Sequence, residues 1–211
     1  MTEKKANGQH TKVGVLGGTF DPVHMGHLAI AEEARARVGM DQVIFLPAGQ
    51  PWMKKDIPVS PTEHRLNMLK LAISGKPYLK VSTAELEHEG SSYAVETIAG
   101  IRQELGAGAE LFFIMGWDSL AVLPLWREPE RLIGMCRIVV VPRPGYPAPD
   151  VKALDAVIPG LSRRVLMLDK LEVDISATEI RERVRRGLPI SHLVPEAVEW
   201  YIREHGLYLG D

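Results

Sequence analysis

Two imidazoles stand three residues apart in "VGVLGGTFDPVHMGHLAIAEEA", Val13 to Ala34. They belong to His24 and His27, and they follow a Gly17-Gly18 pair and a Thr-Phe-Asp-Pro turn. An apolar run ends at the glycines and a helix-period segment begins near Gly26, so both histidines fall where a strand hands over to a helix. Backbone N–H groups at a helix N-terminus have no partner within the helix, and the dipole there favours an anion. Imidazoles beside that end can donate hydrogen bonds to phosphate oxygens. Gly17 and Gly18 would let the backbone approach a ligand closely and adopt positive φ. Phosphate binding is the chemistry this combination suits. Two other readings stay open: an idle solvated pair, and half of a zinc site for which no nearby cysteine or third ligand is supplied.

Other phosphate motifs fail. "SGKP" at 74–77 lacks the earlier glycine of a P-loop, and "GAGAEL" at 106–111 ends in leucine where a dinucleotide fingerprint needs glycine. No Ser-His-Asp or Cys-His nucleophile is evident. The only cysteine, Cys136 in "LIGMCRIVVV", reads as a small buried hydrophobe. A single cysteine cannot form an internal disulfide, which fits a reducing cytoplasm.

These residues need a frame. Short apolar runs, "KVGVLGG", "QVIFLPAG", "YLKVSTAEL", "ELFFIMG", "RIVVVPRPG" and "RVLMLDKLEV", alternate with helix-period segments. The helices are expected over Gly26–Val38, Pro61–Ile73, Tyr93–Leu105, Glu128–Met135, Ala177–Arg186 and Pro195–His205, with Pro61 and Pro195 in first turns. Strands this apolar suit a sheet covered on both faces. The alternation predicts an α/β fold, a Rossmann-like doubly wound parallel sheet with a helical C-terminal segment. The stretch 143–163, rich in proline and glycine, reads as a long connection. Residues 1–11 read as a flexible leader and 12–208 as one domain.

The 211 residues are enough to bury about 70% of the unfolded surface without disulfides or metal. Composition is 45% hydrophobic and 25% charged, with net charge −2. That balance offers no bulk argument for nucleic acid or an anionic membrane. The polar N-terminus lacks a signal-peptide core, and no apolar run approaches the ~18 residues of a membrane span.

"GGTFDPVHMGH" near one end and "ISATEIR" near the other resemble the signatures of the (T/H)xGH nucleotidyltransferase superfamily. "FLPAGQP", "PTEHRLNMLKLAI", "SSYAVETI", "GWDSLAVLPLWRE" and "VVVPRPGY" are similar to the bacterial nicotinate-nucleotide adenylyltransferase family, so that the resemblance spans about 13–208. It implies joining of ATP and nicotinate mononucleotide to give deamido-NAD and pyrophosphate, with Mg²⁺ bound through ATP phosphates and not through protein side chains. The mononucleotide phosphate is already ionised near neutral pH, so no general base is needed. What the reaction asks for is positioning and charge stabilisation.

Matched motif by motif, His24, His27 and Arg181 would be catalytic. Gly17, Gly18, Thr19 and Phe20 would line the ATP site with them, and Ser176, Thr178 and Arg181 would hold ATP phosphates and adenosine. Asp118 would take ribose hydroxyls of the mononucleotide and Trp126 would stack on its pyridine ring. Tyr93, Lys54 and Arg143 complete the mononucleotide side. Plainer roles exist for some of them: Ser176 as an N-cap paired with Glu179, Trp126 as core, Lys54 and Arg143 as solvated charges. The chain departs from many relatives at Met53, where they carry histidine, and at Ala94, where they carry threonine. "AGQPWMKKDIPVS" is a candidate mobile flap.

Rivals on related folds fit less well. The K-M-S-K-S loop of class I aminoacyl-tRNA synthetases is missing, and phosphopantetheine adenylyltransferases are shorter and lack the "DSL…LPLW" segment. A nicotinamide-mononucleotide or dual-specific enzyme stays open, because backbone N–H groups can choose acid over amide without leaving a trace in residue identity. A non-enzymatic nucleotide sensor is expected to have lost a histidine or the second motif, and this chain has both. The implied partners are ATP and nicotinate mononucleotide, with no nucleic acid and no membrane; homo-oligomerisation stays open.

Overall fold

In the first strand, β1 (Thr11–Gly18), four consecutive residues from Val13 to Leu16 are buried, as a strand covered on both faces requires. The computed structural model describes residues 11–49, 59–86, 93–106, 108–142, 145–168 and 174–210. Within them β1 joins β2 (Gln42–Pro47), β3 (Leu79–Val81), β4 (Ala109–Gly116), β5 (Arg137–Val141) and β6 (Val165–Met167) in one sheet. The order is β3-β2-β1-β4-β5-β6 and every pairing is parallel. Leu16 lies opposite both Phe45 and Ile114, which places β1 at the centre. The chain winds outward in one direction from β1 to β3 and in the other from β4 to β6. The switch lies between β1 and β4, where such sheets open a crevice beyond their carboxyl ends.

Helices cover both faces. On one, α1 (Met25–Val38), α2 (Thr62–Ala72), α7 (Ala177–Arg185) and α8 (Glu196–Glu204) bury Leu28, Met68, Leu69, Ile180, Val198 and Ile202 against Leu16, Phe45 and Ile114. On the other, α3 (Ala94–Leu105), α4 (Trp117–Ala121) and α5 (Pro129–Met135) bury Ile98, Leu120 and Leu132 against Val13, Val15 and Phe113. Alternation along β1 thus feeds two separate apolar layers. α1 presents small Ala31 and Ala34 to the sheet and stops at Gly39, whose φ of 69° is the left-handed cap that glycine adopts freely. Among the described residues, no helix is long and apolar enough to cross a membrane.

Gly14 is a packing glycine. A Cβ there would lie 2.6 Å from Met40 Sδ and 3.1 Å from Ile114 Cδ1. Gly14→Ala is therefore expected to lower unfolding stability by about 1–3 kcal/mol, the usual cost of overfilling a tight core. Urea melts check this; an unchanged midpoint would show that Met40 yields freely.

The sheet and the helical C-terminal segment match the sequence reading, with four differences. The 143–163 stretch is not a plain connection: it contains α6 (Val151–Val157) and a 3₁₀ turn at Leu161–Arg163. Asp150 caps α6 by accepting from the Lys152 and Ala153 N–H groups at 2.9 and 3.0 Å, and Ile158 and Leu161 are buried beyond it. The prolines and glycines flank this helix and hide it from composition. α4 and the 3₁₀ turn at Leu123–Leu125 were also not expected, being too short to show a helical period. Strands β3 and β6 keep only three residues each of the longer apolar runs. Pro61 and Pro195 sit at the N-cap positions of α2 and α8, one residue before the first turn. Residues 1–10 of the expected leader 1–11, most of the flap and residues 169–173 lie outside the described residues, and Thr11 already belongs to β1.

Candidate active site

His24 is the N-cap residue of α1 and His27 its third helical residue. The His24 backbone is extended, with φ −141° and ψ 171°, which turns the chain into the helix. Their rings stack with centroids 3.7 Å apart at 24°. The His24 backbone N–H donates to His27 Nδ1 at 3.3 Å. That acceptor role puts the proton of a neutral His27 ring on Nε2, the atom then able to donate to a phosphate oxygen. The first turn of α1 carries no acidic side chain, so no carboxylate of that turn opposes an anion at its positive end. His24 is buried and His27 half-buried.

The turn before them differs from the expected one. Gly17 and Gly18 continue the β1 ladder, opposite Leu46 and Pro47, and neither has positive φ. The left-handed residue is Phe20, at φ 52°. Gly18 serves it: a Cβ on Gly18 would lie 3.0 Å from the Phe20 ring. That ring meets His27 edge-on, with centroids 4.8 Å apart, and lies 5.5 Å from Phe45. Phe20 is thus a buttress behind the histidine.

Arg181 arrives from the far end of the chain. Its Nη1 donates to the Asp21 carbonyl at 2.7 Å, across 160 residues of sequence, and its Nη2 donates to Thr178 Oγ1 at 3.3 Å. Ser176 is the N-cap of α7; its side chain accepts from the Glu179 N–H at 3.1 Å, while Glu179 Oε1 lies 3.7 Å from Arg183. The capping role of Ser176 is therefore made, and its hydroxyl proton can still be donated.

The other cluster of expected residues comes from the opposite face of the sheet. Asp118 occupies the first turn of α4, immediately beyond β4. The Trp126 ring meets Phe113 edge-on at 6.1 Å. The indole N–H groups of Trp117 and Trp126 are buried without a hydrogen-bond partner among the described residues. Tyr93 caps α3, and the Arg127 guanidinium lies 4.7 Å from the centre of its ring while pairing with Glu96 at 3.1 Å. Tyr93 and the Trp126 segment are thereby neighbours. Lys54 and Arg143 lie outside the described residues, as does Met53. Cys136 is buried, and burial pushes its thiol up to about 12, which leaves it chemically quiet. Among the described residues, no three His, Cys, Asp or Glu side chains converge on a metal position.

The cytidylyltransferase-like family model matches residues 15–183. A probable nicotinate-nucleotide adenylyltransferase of Dehalococcoides mccartyi is 50% identical over 93% of this chain and 97% of its own. One from Roseiflexus is 45% identical over the same shares. The chain belongs to this family. It is a nucleotidyltransferase by that membership. The Plasmodium falciparum nicotinic acid mononucleotide adenylyltransferase, solved in complex with APC, shares the fold with a TM-score of 0.74 at 17% identity, over 96% of this chain and 99% of that one. The same Plasmodium enzyme has been solved with NaAD.

Two residues frame the family's first motif: Asp21, which the sequence places at the end of the first strand without a role, and Arg65, which it does not pick out. Asp21 is 4% exposed and Arg65 is 2% exposed. Arg65 Nη1 donates to the carbonyls of Thr19 and Ala48, both at 2.9 Å; its Nε donates to Ser60 O at 3.1 Å and its Nη2 to Thr62 Oγ1 at 3.2 Å. One guanidinium thus clasps the loops that follow β1 and β2. Burial pulls it below its ordinary pKa, and the Asp21 carboxylate acts the other way. A signal existed: an arginine among the apolar positions of "PTEHRLNMLKLAI" is costly unless every donor is met.

Proposed function

We propose that the protein transfers the adenylyl group of ATP to nicotinate mononucleotide, releasing pyrophosphate and forming deamido-NAD. The observation that carries this reading is the Arg181–Asp21 bond, which brings the second motif onto the loop of the first. The mononucleotide phosphate oxygen attacks the α-phosphorus in line, the bond to the bridging oxygen breaks, and pyrophosphate leaves with its electron pair. No covalent enzyme intermediate forms. His24, His27 and Arg181 donate to phosphate oxygens as charge moves onto the leaving group. Gly17, Gly18, Thr19 and Phe20 line the ATP side, with Ser176 and Thr178 at the second helix N-terminus. Mg²⁺, if bound through the ATP phosphates and not through protein side chains, would neutralise charge there. Tyr93, Asp118 and Trp126 take the mononucleotide, joined by Lys54 and Arg143. Residues 12–208 act as one domain, and a cytoplasmic location fits the single buried cysteine. The NaAD complex of the Plasmodium relative supports the acid form of the acceptor.

Incubation with ATP, Mg²⁺ and nicotinate mononucleotide is expected to yield deamido-NAD and pyrophosphate, with poor use of nicotinamide mononucleotide. Comparable use of both would make the enzyme dual-specific; no product from either would sink the reading. Trp126→Ala is expected to raise KM for the mononucleotide by roughly 5–100-fold, the worth of one ring stack, with a much smaller change for ATP. Equal rises in both KM values would mark Trp126 as framework only.

A further inference from the structure

Asp21 is where distant parts of the chain meet. Its Oδ1 accepts from the Tyr208 hydroxyl at 2.6 Å, across 187 residues of sequence. Its Oδ2 accepts from the Ser60 N–H at 3.0 Å, and its carbonyl accepts from Arg181 at 2.7 Å. Tyr208 lies beyond α8, in the tail of the chain, packed against the same apolar layer as α1. Burial, then the Asp21 carboxylate, push its phenol well above the ordinary value, so it remains a donor. Backbone conformation marks the same point. Phe20 and Tyr208 are two of the three non-glycine residues with positive φ among those described. Bulky residues persist in that region only where surroundings hold them there. Phe20 in turn backs His27.

We propose that Tyr208 is a positioning residue for adenylyl transfer. Its hydroxyl aims the Asp21 carboxylate, and Asp21 sets both the loop that leads into His24 and His27 and the Arg181 guanidinium. The C-terminal tail is then part of the frame that aligns the phosphate donors, and not merely a clasp that closes the fold. The inference rests on the adenylyl-transfer reading above.

Tyr208→Phe removes one oxygen and keeps the ring's packing. It is expected to lower kcat about tenfold, the scale of a small misalignment, with both KM values changed by less than about twofold. The loss is expected to vanish largely in an Arg181→Lys background, because the two residues act through one carboxylate-bearing residue. Tyr201→Phe is the control. It deletes another hydroxyl from the C-terminal region, bonded to His64 and Asn67 and not to Asp21, and is expected to leave kcat unchanged. Each variant is assayed well below its own melting midpoint. A lowered midpoint with kcat unchanged would make Tyr208 a clasp and overturn the proposal, as would equal losses in Tyr208→Phe and Tyr201→Phe. A wild-type protein that forms no dinucleotide overturns the functional reading and the proposal together; normal wild-type turnover with an unaltered Tyr208→Phe overturns the proposal alone.

Discussion

His27→Ala is expected to cut kcat by about 10²–10³-fold, the range seen when one preorganised donor is removed from a developing charge. The ring is fixed before substrate arrives: the His24 N–H holds Nδ1, the His24 ring stacks on one side, and the Phe20 edge abuts it. Such a donor needs little rearrangement during the reaction. The helix also loses a partner at its cap, which costs about 1 kcal/mol of stability. Far-ultraviolet dichroism and a melting curve separate that from the kinetic effect. His27→Gln places an amide nitrogen near the Nε2 position and is expected to recover part of the rate. Activity of His27→Ala within about threefold of wild type would remove the imidazole from the mechanism.

Arg181→Ala is expected to be comparably severe, about 10²–10³-fold in kcat/KM. Two effects combine. The cation proposed to face the phosphates is lost, and the α7 helix loses its bond to the Asp21 carbonyl. Arg181→Lys separates them, because lysine restores the charge as a point donor but cannot bond Asp21 and Thr178 in one plane. It is expected to recover roughly tenfold of the loss and no more. Full recovery would mean that charge alone matters, and no recovery would mean that the fork geometry is everything. Steady-state pyrophosphate release, with ATP and mononucleotide varied in turn, reads both.

The parts of the fold carried by long periodic or apolar segments were legible. β1, β4 and β5 read as buried strands because both of their faces are covered, and α1 and α3 read as helices from their spacing. The parallel order follows from strand-helix alternation. Short or composition-masked elements were not legible: α4 has five residues, and α6 lies between prolines and glycines. The placement of the candidate site residues was legible where a motif is local. His24 at the cap and His27 one turn in are consequences of spacing along a single helix. The turn was misjudged because glycine permits positive φ without demanding it, and here Phe20 adopts it, held by packing against Phe45 and His27. The Tyr208–Asp21 and Arg65–Thr19 bonds could not be read at all. Nothing local in a sequence links residues 187 or 46 positions apart; only the closed fold brings those donors to those oxygens.

Among the described residues, the expected ATP residues lie at the end of β1, in the loop after it and on helices of one face of the sheet, whereas Tyr93, Asp118 and Trp126 lie with the helices of the other. They share the carboxyl edge and little of the apolar packing behind it. On the proposed assignment of these residues, the catalyst is modular in the manner of a socket and an adaptor. Substitutions on α3, on α4 and in the Trp126 loop can retune which phosphate acceptor is admitted, while the adenylyl-donor half stays packed and aligned on its own layer. A chain built this way can be diverted to a new acceptor without relearning how to handle ATP.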